Sequence, residues 1–199
     1  LLSRQNEWLF SGLEEIRLRC RRPLLLKIGE DDYSIDKQGL VSKDIKSGCI
    51  VSENDIFRTM ASISDNSIYA FEEDIKKGFI TLPGGHRVGL SGQVLAQARE
   101  VQAIKNFSGI CFRVAREVHN ASRPLLPYVC PGPHNRAVNT LIISPPRAGK
   151  TTILRDLARI LSDGGHGLPP HNVVIVDERS ELAGCYEGIP QLDVGMRTD

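Results

Sequence analysis

Residues Ser144-Pro145-Pro146-Arg147-Ala148-Gly149-Lys150-Thr151 combine a small-residue turn, a lysine and a hydroxyl at fixed spacing. They fit the phosphate-binding loop G-x-x-x-x-G-K-[ST] at every defined position except the first, where Ser144 replaces glycine. Such a loop turns successive backbone N–H groups toward an anion, and a following helix adds the partial positive charge of its N-terminus. Gly149 lets the backbone come close to the phosphates. Lys150 reaches β/γ oxygens, the Thr151 hydroxyl suits Mg²⁺, and Thr152 adds a contact to the α-phosphate. The expected ligands are therefore ATP and Mg²⁺.

The loop needs a strand before it and a helix after it. Leu141-Ile142-Ile143 reads as the buried strand. Ile153, Leu154, Leu157, Ile160 and Leu161 recur at helical spacing and Gly164-Gly165 ends the run. A second apolar run, Val173-Val174-Ile175-Val176, leads into Asp177-Glu178. The order predicts a βαβ unit with a parallel sheet, whose ligands sit at the carboxyl ends of the strands. Asp177 then stands either on Mg²⁺, as in a Walker B strand, or in an acidic segment that precedes a later Walker B. Either way Glu178 lies near the γ-phosphate, and it is the favoured base for activating water.

Two strands and one helix do not bury a RecA-like core, because both sheet faces and an edge stay bare. The expected fold is α/β: an incomplete RecA-like P-loop NTPase core over residues 140–199, behind a smaller α+β N-terminal domain over residues 1–120. Pro124, Pro127, Pro131, Gly132 and Pro133 make 121–139 read as a linker. The 199 residues read as a piece, or the ordered part, of a longer protein, with the remaining strands and sensor residues beyond Asp199.

Composition excludes several classes. Hydrophobics are 41%, charged residues 25% and net charge +1, which gives no strong signal for nucleic acid. Five scattered cysteines and five scattered histidines show neither a disulfide framework nor zinc spacing. The N-terminal domain expects strands at 15–19, 23–28, 33–35 and 109–114, and a helix capped by Ser52 with Asp55. A further helix over 71–77 and a hairpin over 79–90 complete the expectation. Arg17, Arg19, Arg21 and Arg22 fit a solvated strand edge better than a lipid or nucleic-acid patch. Arg87 and Arg113 lie on expected strands; an arginine supplied by a neighbouring subunit can stabilise a transferring phosphoryl group, although salt bridging is the default.

Leu82-Pro83-Gly84-Gly85-His86-Arg87-Val88-Gly89, the Ser-Pro-Pro form of the phosphate loop, Val176-Asp177-Glu178-Arg179-Ser180-Glu181-Leu182-Ala183-Gly184 and Asp193-Val194-Gly195 with Arg197-Thr198-Asp199 are similar to the stage III sporulation protein AA family. Glu15-Ile16-Arg17-Leu18-Arg19 with Arg22-Pro23-Leu24 also resembles the N-terminal domain of secretion and pilus-retraction ATPases. The resemblance implies a RecA-like ATPase, hexameric, cytoplasmic and peripheral on the mother-cell side of a membrane channel complex, with membrane proteins of that complex as partners. It further implies that Asp177-Glu178 is the acidic box after the phosphate loop, with the true Walker B farther on.

Overall fold

The computed structural model describes residues 7–64, 71–97, 100–132, 136–146 and 148–199. The chain folds as two compact units. The first comprises Leu1–Leu82 with His86–Ala115, and the second Pro83–Gly85 with Arg116–Asp199.

The first unit is a mixed α/β layer built on one antiparallel sheet. Its strands are β1 (Leu13–Arg19), β2 (Leu25–Ile28), β3 (Asp31–Ile35), β4 (Val41–Ser42), β5 (Phe79–Leu82), β6 (His86–Gln97) and β7 (Glu100–Arg113), in spatial order β4-β3-β2-β1-β7-β6-β5. Alternation in β1 turns Ile16 and Leu18 toward the apolar clusters and Glu15 and Arg17 the other way. Helix α2 (Glu53–Ile63) starts at a capping box: Ser52 Oγ accepts the Asp55 N–H at 3.1 Å, and Asp55 Oδ2 accepts the Ser52 N–H at 2.8 Å. Its Ile56 and Met60, with Ile75 of α3 (Glu72–Lys77), close over Ile80, Val88, Leu90 and Ile110 of the sheet. Each such side chain contributes about 1.5–3 kcal/mol on burial. A second cluster joins Leu9 of α1 (Glu7–Gly12) to Leu13, Leu26 and Ile35.

The second unit is organised on α5 (Lys150–Asp163). Leu157 and Ile160 bury against Leu126, Val129 and Cys130, which come from the short helix α4 (Leu126–Val129) and the residue after it. The proline-rich stretch expected as a linker is thus packed as far as Cys130, because its apolar residues meet the apolar side of α5.

The parallel sheet expected here is not formed among the described residues. Residues 141–143 carry no strand, with Leu141 and Ile143 82% and 81% exposed. Residues 171–177 alternate half-buried with exposed, and their pairing is a short parallel one about the bridge from Val173 to Thr198: the Val173 N–H donates to the Arg197 carbonyl at 2.9 Å, the Asp199 N–H to the Val173 carbonyl at 2.9 Å and the Ile175 N–H to the Asp199 carbonyl at 2.8 Å. Val174 and Val176 stand in the open. An apolar run becomes a sheet strand only when a neighbour pairs along it and a layer covers it; among the described residues 141–143 have no strand partner and 173–176 only the short segment 197–199.

Candidate functional site

The phosphate-type loop enters α5 as the sequence requires. Gly149 adopts the left-handed conformation, φ 85°, and serves as N-cap with no side-chain hydrogen bond to the first turn. That φ favours glycine, and a Cβ placed there would meet nothing within 4 Å, so the space before the helix is open. The Lys150 ammonium folds back onto the loop. It donates to the Ser144 carbonyl at 2.9 Å, the Pro145 carbonyl at 2.9 Å and Ser144 Oγ at 3.2 Å. The Ala148 N–H closes a turn on the Pro145 carbonyl at 3.4 Å. Pro145, Pro146 and Ala148 are exposed, Thr151 and Thr152 half-buried, and Arg147 lies outside the described residues.

Two residues of α5 that the apolar pattern did not flag fix this helix. Asp156 is buried, and its carboxylate accepts the Asn120 N–H at 3.0 Å, the Ser122 N–H at 2.8 Å, the Ser122 hydroxyl at 2.7 Å and Arg159 Nη2 at 2.7 Å. Burial works to raise its pKa, but the Ser122, Arg159 and Asn120 hydrogen bonds outweigh it and hold the group at about 2. Arg155 is buried as well. Its guanidinium donates to the carbonyls of Leu182 at 2.5 Å, Glu181 at 2.8 Å and Arg116 at 3.1 Å. Burial lowers its pKa, and the negative charges of Glu117 and Asp177 work against that shift. Apart from Arg159, one turn after Asp156, the partners of both residues are distant in sequence and mostly backbone, so local spacing did not announce them. The sequence signal is an Arg-Asp pair among the apolar residues of the helix, with Arg159 one turn after Asp156.

The acidic pair sits on the loop that Arg155 grips. Asp177 accepts three backbone N–H groups, from Glu181 at 2.9 Å, Leu182 at 2.6 Å and Ala183 at 3.2 Å. Both carboxylate oxygens are thereby engaged in closing the turn. Glu178 is exposed. Neither acid forms an ion pair with Lys150 among the described residues. What the structure does bring together is the two segments: α5 carries Lys150 at its start and, about 8 Å along its axis, Arg155, which clamps the turn beginning at Asp177.

Arg87 and Arg113 lie in the other unit, facing each other across β6 and β7. Like charges in that register repel, and each has its own partner. The Arg87 guanidinium stacks 3.6 Å from the Phe79 ring centre, and Arg113 Nε lies 3.5 Å from Glu15 Oε1. Glu15 also binds Arg17, whose pKa it raises. Among the described residues no group of three His, Cys, Asp or Glu could hold a metal ion, and no helix is long and apolar enough to cross a membrane.

With the geometry in view, residues 1–199 match the family described as sporulation stage III, protein AA. A curated relative, the stage III sporulation protein AA of Bacillus subtilis (strain 168), is 40% identical over 196 residues, covering 98% of this chain. The chain belongs to the sporulation stage III protein AA family. It spans 58% of the length of that Bacillus subtilis family member. Among solved structures, the Yersinia pseudotuberculosis ATPase DotB is similar at a TM-score of 0.39 and 14% identity, over 80% of this chain and 41% of that one.

Proposed function

We propose that this family member binds ATP with Mg²⁺ at residues 144–152 and hydrolyses it, as a RecA-like motor of the secretion type serving a sporulation channel complex. The observation that carries the reading is the Lys150 ammonium, held at the mouth of α5 by the loop oxygens of Ser144 and Pro145. In this reading those contacts keep the lysine in place until phosphate oxygens replace them, while the uncapped first turn of α5 offers its N–H groups to the same anion. Thr151 is the residue for Mg²⁺, which supplies charge neutralisation on the phosphates when bound. Asp177 holds the turn through its three N–H contacts, so its part in metal binding is indirect, and Glu178 beside it is the acceptor for a water proton. Arg87 and Arg113 are offered as arginines acting on a neighbouring copy's nucleotide, in a ring of six at the cytoplasmic face of a membrane complex.

A scaffold that binds ATP with little hydrolysis is the second reading. It is favoured by the exposure of Glu178, which no hydrogen bond among the described residues holds in line with a phosphate. The two readings separate in steady-state kinetics. If the protein is a motor, Lys150→Ala abolishes turnover, and Glu178→Gln lowers kcat at least about tenfold with ATP affinity kept within a few-fold. Equal kcat for Glu178→Gln and the parent removes Glu178 from the chemistry. Loss of ATP binding in that variant would give the acidic pair a metal-holding role instead.

A further inference from the structure

The β6–β7 ribbon is the part of the first unit that the nucleotide site leaves without a use. Strand β5 partners β6 only from Gly89 to His86, with one more contact from the Leu90 N–H to the Gly78 carbonyl at 2.9 Å. Strand β1 leaves β7 at Gly109, where the Cys20 N–H takes the Ser108 carbonyl at 2.8 Å. Beyond these points the ribbon is two strands wide, and such a pair is marginal in water without a further strand or a covering layer.

Its two edges differ in kind. On β7 both register shifts place the extra residues, Lys105 adds a charge, and Asn106 takes φ 49°. Bulges and lysines are the features that keep an edge from pairing. The β6 edge has none of them. Ser91-Gly92-Gln93-Val94-Leu95-Ala96-Gln97 contains no charged residue, no proline and no inserted residue. All but Gly92 are exposed, Val94 at 52% and Leu95 at 38%. Among the described residues no strand pairs with this edge.

We infer that the β6 edge, residues 91–97, docks against the same edge of a second copy of this chain, antiparallel about a two-fold axis near Val94. A row of free N–H and C=O groups asks for an extended backbone. The lack of charge selects among the chains that could supply one. In a two-fold pairing each residue meets its own counterpart's neighbourhood, so any charge near the axis would face its like. About Val94, Ser91 meets Gln97, Gly92 meets Ala96, Gln93 meets Leu95, and Val94 meets itself. A foreign strand would find no charge to recognise here, and charge is what commonly gives such encounters their specificity.

The test is sedimentation equilibrium of the 199-residue chain, with circular dichroism to establish that each variant keeps its fold. The parent should dimerise reversibly. Val94→Lys and Val94→Glu, substitutions at an exposed side chain, should each weaken dimerisation at least about tenfold, because like charges then meet at the axis. An equimolar mixture of the two should recover the association as a heterodimer. A parent that stays monomeric up to about 1 mM, the weak limit of useful association, overturns the proposal. So does a dimer indifferent to both substitutions, and so does a mixture that fails to recover, since position 94 would then not face itself.

Discussion

Asp156 and Arg155 set the stability of the helix that presents Lys150. Four hydrogen bonds keep the Asp156 carboxylate ionised to about pH 2. A depressed pKa stabilises the fold above the unfolded carboxylate value near 4, and that contribution fades as pH falls from about 4 toward 2. Its size is about 2 kcal/mol. Urea unfolding of the parent and Asp156→Asn should therefore differ by about that much near pH 7 and converge near pH 2; a pH-independent difference would show that packing rather than ionisation is at stake. For Arg155 the consequence is geometric. Its fork serves three carbonyls, and an ammonium cannot reproduce that geometry. Arg155→Lys should lower stability by about 1–3 kcal/mol and raise amide exchange at Glu181 and Leu182. Unchanged exchange there would mean the clamp is incidental. The helix start at Gly149-Lys150 was legible because its signal is local in sequence. This pair was not, because all its partners but Arg159 lie 26 to 39 positions away.

At the scale of elements, α2 carries its own start signal, and the sequence sufficed to find it. Ser52→Ala removes one half of the reciprocal cap and should cost about 1 kcal/mol, read as a lower midpoint in denaturant without a change in slope. A loss well below that would mean water takes over the freed Asp55 N–H. The hairpin through Pro83-Gly84-Gly85 was equally plain, since Ile80 and Val88 alternate with half-exposed residues and both glycines take positive φ. Its continuation beyond Leu90 was hidden. Residues 91–97 face solvent on both sides, so no one-sided apolar pattern marks them as strand. The runs at 141–143 and 173–176 show the reverse. Their apolar composition announced strands, but pairing is a property of neighbours, and among the described residues only Val173–Ile175 find one, in Arg197–Asp199.

For the whole molecule, the two units hold separate apolar clusters, two on the sheet and one on α5. Residues 1–115 contain the seven strands and the helices that cover them, so they should fold alone and melt in a single cooperative transition. A non-cooperative melt would mean that the sheet depends on the second unit. The central claim concerns that second unit: its loop at residues 144–152 is a nucleotide site whose cation is Lys150. The most direct measurement is a titration of this chain with a fluorescent ATP analogue in Mg²⁺, beside Lys150→Ala with an unchanged circular dichroism spectrum. The account predicts saturable binding that unlabelled ATP competes away and that weakens at least about tenfold in the variant, as the loss of a charge-assisted phosphate contact requires. Equal binding by the parent and Lys150→Ala would contradict it.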